Sequence, residues 1–174
     1  SQSGEIGIMP MTAKDEIRFK TPDALMNGEG VVEVIQSCVP QIKDAWQIKS
    51  YDLDTILIAI RIATYGETMD MSFTVPGANE KTDHTVNLPA LLDQLKTIQI
   101  QEDFTLEDGL KISVNPLSYK DMTVASQQTF TQSKMYSAVQ SSEMSEDDKV
   151  KKFNESFKAL TELNTSILMK NIAK

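Results

Sequence analysis

An α+β fold is what this sequence predicts: a small antiparallel sheet packed on a buried central helix, with a C-terminal pair of long helices. Three observations carry the expectation. Tyr51–Gly66 reads as a helix apolar on most sides, the segments flanking Pro76-Gly77 alternate like paired strands, and after Pro116 no Gly or Pro interrupts two long helical patterns. Two parts follow, an α+β core domain over 5–116 and a C-terminal helical hairpin or arm over 117–174.

The central helix opens on Asp52 and Asp54, where a helix N-terminus favours negative charge, and closes on Gly66, a left-handed stop. Leu53, Ile56, Leu57 and Ile60 fall at spacings of three and four, and Ile58, Ala59 and Ile62 widen that face until Arg61 is the one charge inside it. A helix of that kind is normally covered on more than one side. Its length of roughly 24 Å is short for a membrane span, and Arg61 interrupts it.

Around it, Glu5–Met9 alternates as a short strand ended by Pro10, and Ser1–Gly4 reads as a loop. Because the chain starts on Ser1 rather than Met, upstream residues are expected to precede it. Thr12 and Asp15 have capping-box spacing and start a short helix to about Phe19. Pro22 stands at the first position of another. Val31–Val39 carries Val31, Val34, Ile35 and Cys38 at helical spacing and is stopped by Pro40. Gln41–Ser50 connects to the central helix, with Trp46 folded over the core. Glu67–Val75 and Asp83–Leu88 form a hairpin, Leu91, Leu92 and Leu95 a helical turn after Pro89. Thr97–Ile100 and Leu110–Val114 are two more strands, with Asp108-Gly109 as a turn.

The first C-terminal helix, about Leu117 to Gln140, has a thin apolar stripe (Tyr119, Met122, Phe130, Met135, Tyr136 and Val139) and needs a partner surface. The second starts at Ser145-Glu-Asp-Asp148, a capping-box spacing with an acidic first turn. Along it Val150, Phe153, Phe157, Leu160, Asn164, Ile167 and Asn171 step by threes and fours as a heptad seam with Asn at two core positions. Such an Asn selects register or oligomer state. The seam either packs on the preceding helix as an antiparallel hairpin or joins subunits or another protein.

Composition narrows the function. Hydrophobic residues at 40% and charged ones at 24% describe a globular protein, and the net charge of −8 leaves no basic stripe for nucleic acid. No signal peptide or spanning segment is visible, so no membrane contact is expected. Cys38 is the single cysteine and reads as a buried, inert thiol, which fits a reducing compartment. His84 is the single histidine, so one chain cannot build a His-Cys zinc site or an imidazole pair. Neither a phosphate loop nor Gly-x-Ser-x-Gly occurs. The carboxylates Glu143, Glu146, Asp147 and Asp148 read as a solvated helix start, and Arg61 as reaching the surface or an acidic neighbour. We therefore expect no catalytic residue, no cofactor and no metal.

The words Ile8-Met-Pro-Met-Thr-Ala-Lys-Asp-Glu16, Thr21-Pro-Asp-Ala-Leu-Met-Asn-Gly28, Val34-Ile-Gln-Ser-Cys-Val39 and Leu57-Ile-Ala-Ile-Arg-Ile-Ala-Thr-Tyr-Gly-Glu67 stand here in that order. From about residue 5 to residue 90 this succession resembles the baseplate hub and hub-assembly proteins of T-even-type contractile-tailed phages. Members of that group place Cys-Pro-x-Cys after the strand that follows the central helix, a knuckle suited to zinc. Here the equivalent residues are Val75-Pro76-Gly77-Ala78, without either thiolate.

The resemblance implies a late-expressed, non-enzymatic tail protein that binds other baseplate hub proteins in the host cytoplasm. It either stays in the virion baseplate or acts only while the hub is built. A central symmetric axis suits a homo-oligomer, with a trimer as the guess. The contact residues we expect on the last helix are Phe153, Phe157, Leu160, Asn164 and Ile167. Two readings compete: a peptidoglycan-active tail enzyme, which would need two acidic residues in a pocket, and a cytoplasmic adaptor domain unrelated to phages.

Overall fold

The Thr12 hydroxyl accepts from the Asp15 backbone N–H, and the Asp15 carboxylate accepts in return from the Thr12 N–H and hydroxyl. That reciprocal cap satisfies the free donors that start helix α1 (Ala13–Phe19). The structure is a computed structural model and describes residues 6–74 and 81–173. In those residues α2 (Pro22–Met26), α3 (Glu29–Cys38), α4 (Ser50–Tyr65), α5 (Leu88–Thr97), α6 (Tyr119–Gln140) and α7 (Glu146–Asn171) follow. The strands are β1 (Thr68–Thr74), β2 (Lys81–Asn87), β3 (Asp103–Thr105), β4 (Lys111–Val114) and β5 (Ile172–Ala173). β1 and β2 pair antiparallel from Thr68 opposite Asn87 to Thr74 opposite Lys81. A second antiparallel sheet has the order β3-β4-β5. The fold is α+β with two long C-terminal helices.

The chain divides into two compact units. The first takes in the described residues up to Leu25, then Glu29–Ala45 and Tyr51–Ile100. Its most deeply sunk element is α3, which buries Val32, Val34, Ile35 and Cys38 together with Val39 and Ala45 beyond its end. Burial pushes the Cys38 thiol pKa up, so the thiol stays protonated. Arg18 of α1 holds Glu33 of α3 with Nε 2.6 Å and Nη2 2.9 Å from its carboxylate oxygens. This pair is exposed and contributes little stability. Leu53 and Ile60 of α4 are buried, Leu57, Ile58, Arg61 and Ile62 are half-buried, and Gly66 ends the helix at φ 92°. The hairpin of β1 and β2 is exposed except at the opposed pair Met69 and Val86, which is half-buried. Coverage of α4 is therefore partial, and the apolar face of the hairpin stays open too, with Met71 and Phe73 exposed on the Met69 side of β1.

Two expected strands are absent from the described residues. Ile6–Met9 finds no strand to pair with, although the Met9 N–H donates to the Cys38 carbonyl at 2.8 Å. Thr97 closes α5 instead of starting a strand, and the Ile98 N–H turns back onto the Leu95 carbonyl. The Ser1–Gly4 loop, the turn at 76–79 and the knuckle equivalent at 75–78 lie outside the described residues.

The cap on α1 sets an acid dependence. Burial raises the Asp15 pKa, yet the hydrogen bonds from Thr12 and from the Ser37 hydroxyl (3.1 Å) outweigh it and leave the carboxyl below its usual value. A group depressed in this way stabilises the fold above its unfolded pKa, and the contribution is lost as pH falls through the folded one. Asp15→Asn should cost about 1 kcal/mol near neutrality, measured by urea unfolding, and nothing below the carboxylate range. A cost independent of pH would remove the charge from the account.

The second unit holds Met26–Gly28, Trp46–Ser50 and the described residues from Gln101 onward. Trp46, expected to fold over the core, belongs to this unit and stacks on Tyr119 with ring centroids 5.6 Å apart. Gly28, at φ 81°, lies so close that a Cβ there would stand 3.0 Å from Thr123 and 3.1 Å from Trp46. An isolated bridge between Lys49 and Ser118, with the Ser50 N–H on the Leu117 carbonyl, fixes the entry to α6.

Candidate protein-interaction surface on the second unit

Both long helices begin on a serine. Ser118 accepts from the Asp121 N–H and Ser145 from the Asp148 N–H, each at 3.2 Å, and each hydroxyl donates to the same aspartate's carboxylate. Between the helices lies a short loop after Gln140, so α7 runs back along α6. The partners show the antiparallel register. Tyr136 meets Phe153 with centroids 4.8 Å apart, Gln132 accepts from the Ser156 hydroxyl at 2.7 Å, and Asp121 pairs with Lys170 at the far end. The hydrogen bonds from Lys170 and Ser118 hold the Asp121 carboxyl below its usual pKa.

The α7 face turned to α6 is Phe153, Ser156, Leu160, Leu163 and Ile167, half-buried apart from the buried Ser156. These positions step by three and four as a heptad seam does. Opposite them α6 offers Ala125, Gln128 and Gln132, side chains too small or too polar to fill the space. A groove of about 400 Å³ is left, lined by Ala125, Gln128, Leu163 and Ile167. A second groove of about 270 Å³ has Tyr136, Phe153, Phe157 and Leu160 along it.

Phe153, Phe157 and Leu160 are thus brought together on one groove, and Ile167 lines the other. Asn164 is exposed and lines neither. Phe157 is 74% exposed and Val150 55%, so with Asn164 they form an outer stripe instead of the inner seam. Leu168 and Met169 extend the exposed apolar surface of α7, and Phe130 and Tyr136 that of α6. Leu163 and Ser156 escaped the sequence reading. The signal was there, since Phe153, Ser156, Leu160, Leu163 and Ile167 keep strict three-four spacing, but a serine within it hid the phase.

Chemistry is sparse by comparison. Among the described residues no group of three His, Cys, Asp or Glu side chains could hold a metal ion, and no helix is long and apolar enough to cross a membrane. Asp15, Glu33 and Asp121, the carboxylates with displaced pKa values, are all displaced downward. Such groups stay ionised and are poor general acids at neutral pH. What the second unit presents is shape and apolar surface.

A family model described as T4 bacteriophage base plate protein matches residues 1–174. No curated protein and no solved structure matches the chain.

Proposed function

The chain belongs to the T4 bacteriophage base plate protein family, and from that premise we propose that it builds the baseplate hub through protein–protein contacts, without catalysis. The observation that carries this reading is the exposed apolar surface of α7, where Phe157 and Met169 are each 74% exposed and Val150 and Leu168 more than half so. Large apolar side chains clustered on one helix mark contact surfaces. The partners are other hub proteins, and the groove between α6 and α7 suits further helices of the same kind, including those of other copies in a ring such as a trimer. Phe153, Leu160 and Ile167 shape the grooves, Phe157 is the projecting anchor, and Asn164 sets register beside it. The work begins in the host cytoplasm, and the protein takes its place in the virion baseplate.

Membership of this family sets aside the adaptor unrelated to phages. The enzyme reading finds no support in the downward-shifted carboxylates. Hub assembly in a host expressing the other baseplate proteins tests the proposal directly. Hubs should fail to form without this chain and form again when it is supplied in trans. Normal hubs in its absence would refute the role.

A further inference from the structure

One face of α4 borders a cavity of about 700 Å³ within the first unit. Its walls are mostly apolar, with Val34 from α3, Leu57, Ile58 and Ile60 from α4, Met69 from β1 and Leu91 from α5, and Lys20, which pairs with Glu16 at 3.7 Å, adds an ammonium to the rim. Into this lining comes one guanidinium. Arg61 sits on the same α4 face, its Cζ 4.6 Å over the Tyr65 ring, and its Nη1 is buried with no hydrogen-bond partner among the described residues. The sequence led us to expect this side chain at the surface or beside an acidic neighbour. No ion pair to it forms among the described residues, in a chain of net charge −8. A buried N–H without an acceptor is costly, and a planar guanidinium matches a carboxylate best.

We propose that this cavity docks an amphipathic helix of another baseplate protein, with apolar side chains filling it and one Asp or Glu reaching Arg61. Charge complementarity selects the acid. Its length suits a helix: the lining runs along α4 from Leu57 to Tyr65, about 12 Å, which matches i, i+4 and i+7 anchors of a partner. The apolar surface also continues outside onto the exposed Leu25 and Tyr65. This site is separate from the α7 stripe and does not depend on it.

The test uses the full chain and overlapping peptides of about 20 residues covering the other baseplate proteins of the same phage. Binding peptides should contain an acidic residue between apolar anchors, and changing that acid to its amide should weaken binding about tenfold. Arg61→Met should erase that discrimination while keeping the melting temperature unchanged or raising it, since the orphan N–H is gone. Peptides that bind Arg61→Met as they bind the wild type, or the absence of any binding peptide, would overturn the proposal. So would dodecanoate displacing the peptides with greater affinity, or a wild-type dimer in sedimentation that Arg61→Met dissociates.

Discussion

Phe157→Asp should abolish self-association and capture of hub partners while leaving the fold intact. The side chain is 74% exposed, so its replacement removes almost no internal packing, and surface changes of this kind shift stability by about 0.5 kcal/mol or less. In an interface the same ring would be desolvated beside Tyr136, Phe153 and Leu160 along its groove. Aromatic anchors in such places contribute about 2 kcal/mol or more, and a buried unpaired carboxylate adds its own penalty, so a loss of at least about a hundredfold is expected. Sedimentation velocity reads self-association, pull-down with purified baseplate proteins reads capture, and a urea curve checks folding. Undiminished binding by a folded variant would remove the outer stripe from the proposed function.

Ile35→Ala should produce the largest loss of stability. Ile35 is fully buried at the centre of α3, beside Val34, Cys38 and Val39 in the sequence, and each of those is also almost completely enclosed. Truncation removes buried methyl groups and leaves a void that rigid neighbours cannot close, a cost of about 3–4 kcal/mol. That is a large share of the roughly 5–15 kcal/mol that holds a domain together. The urea midpoint measures it. A cost below about 1 kcal/mol would mean that α3 is not the organising element of the first unit.

That centre differs from the one the apolar pattern suggests. Tyr51–Gly66 is the greasiest stretch, and the helix it forms has close to the expected limits, capped by Gly66. Sequence periodicity reports which faces are apolar, but not how much neighbouring chain exists to cover them. Here α4 buries only Leu53 and Ile60, and the shorter α3 takes the interior. The caps at Thr12 and Ser145 were legible because their chemistry is local, each accepting from an N–H three residues on, while the same device at Ser118 went unread. The strand expected at Thr97–Ile100 failed for the opposite reason. Strand identity depends on a distant partner, and β4 found Asp103–Thr105 and the chain end instead. On α7 the expected seam holds at Phe153, Leu160 and Ile167 but took Val150, Phe157 and Asn164 in place of Ser156 and Leu163, because Ser156 at an inner position is satisfied by Gln132, a pairing invisible to hydropathy. Arg61 was visible as an intruder among apolar residues, and only the geometry shows its Nη1 unpartnered.

The last strand gives α7 a second tether. Ile172 pairs with Val114, and the Asn115 N–H donates to the Asn171 carbonyl at 2.6 Å, while the loop to α6 holds the other end. A helix pinned at both ends cannot swing outward to meet a newcomer. Recognition then resembles a key meeting a finished lock, with little motional freedom left to surrender on docking, and deleting the final few residues would turn a poised surface into a fraying one.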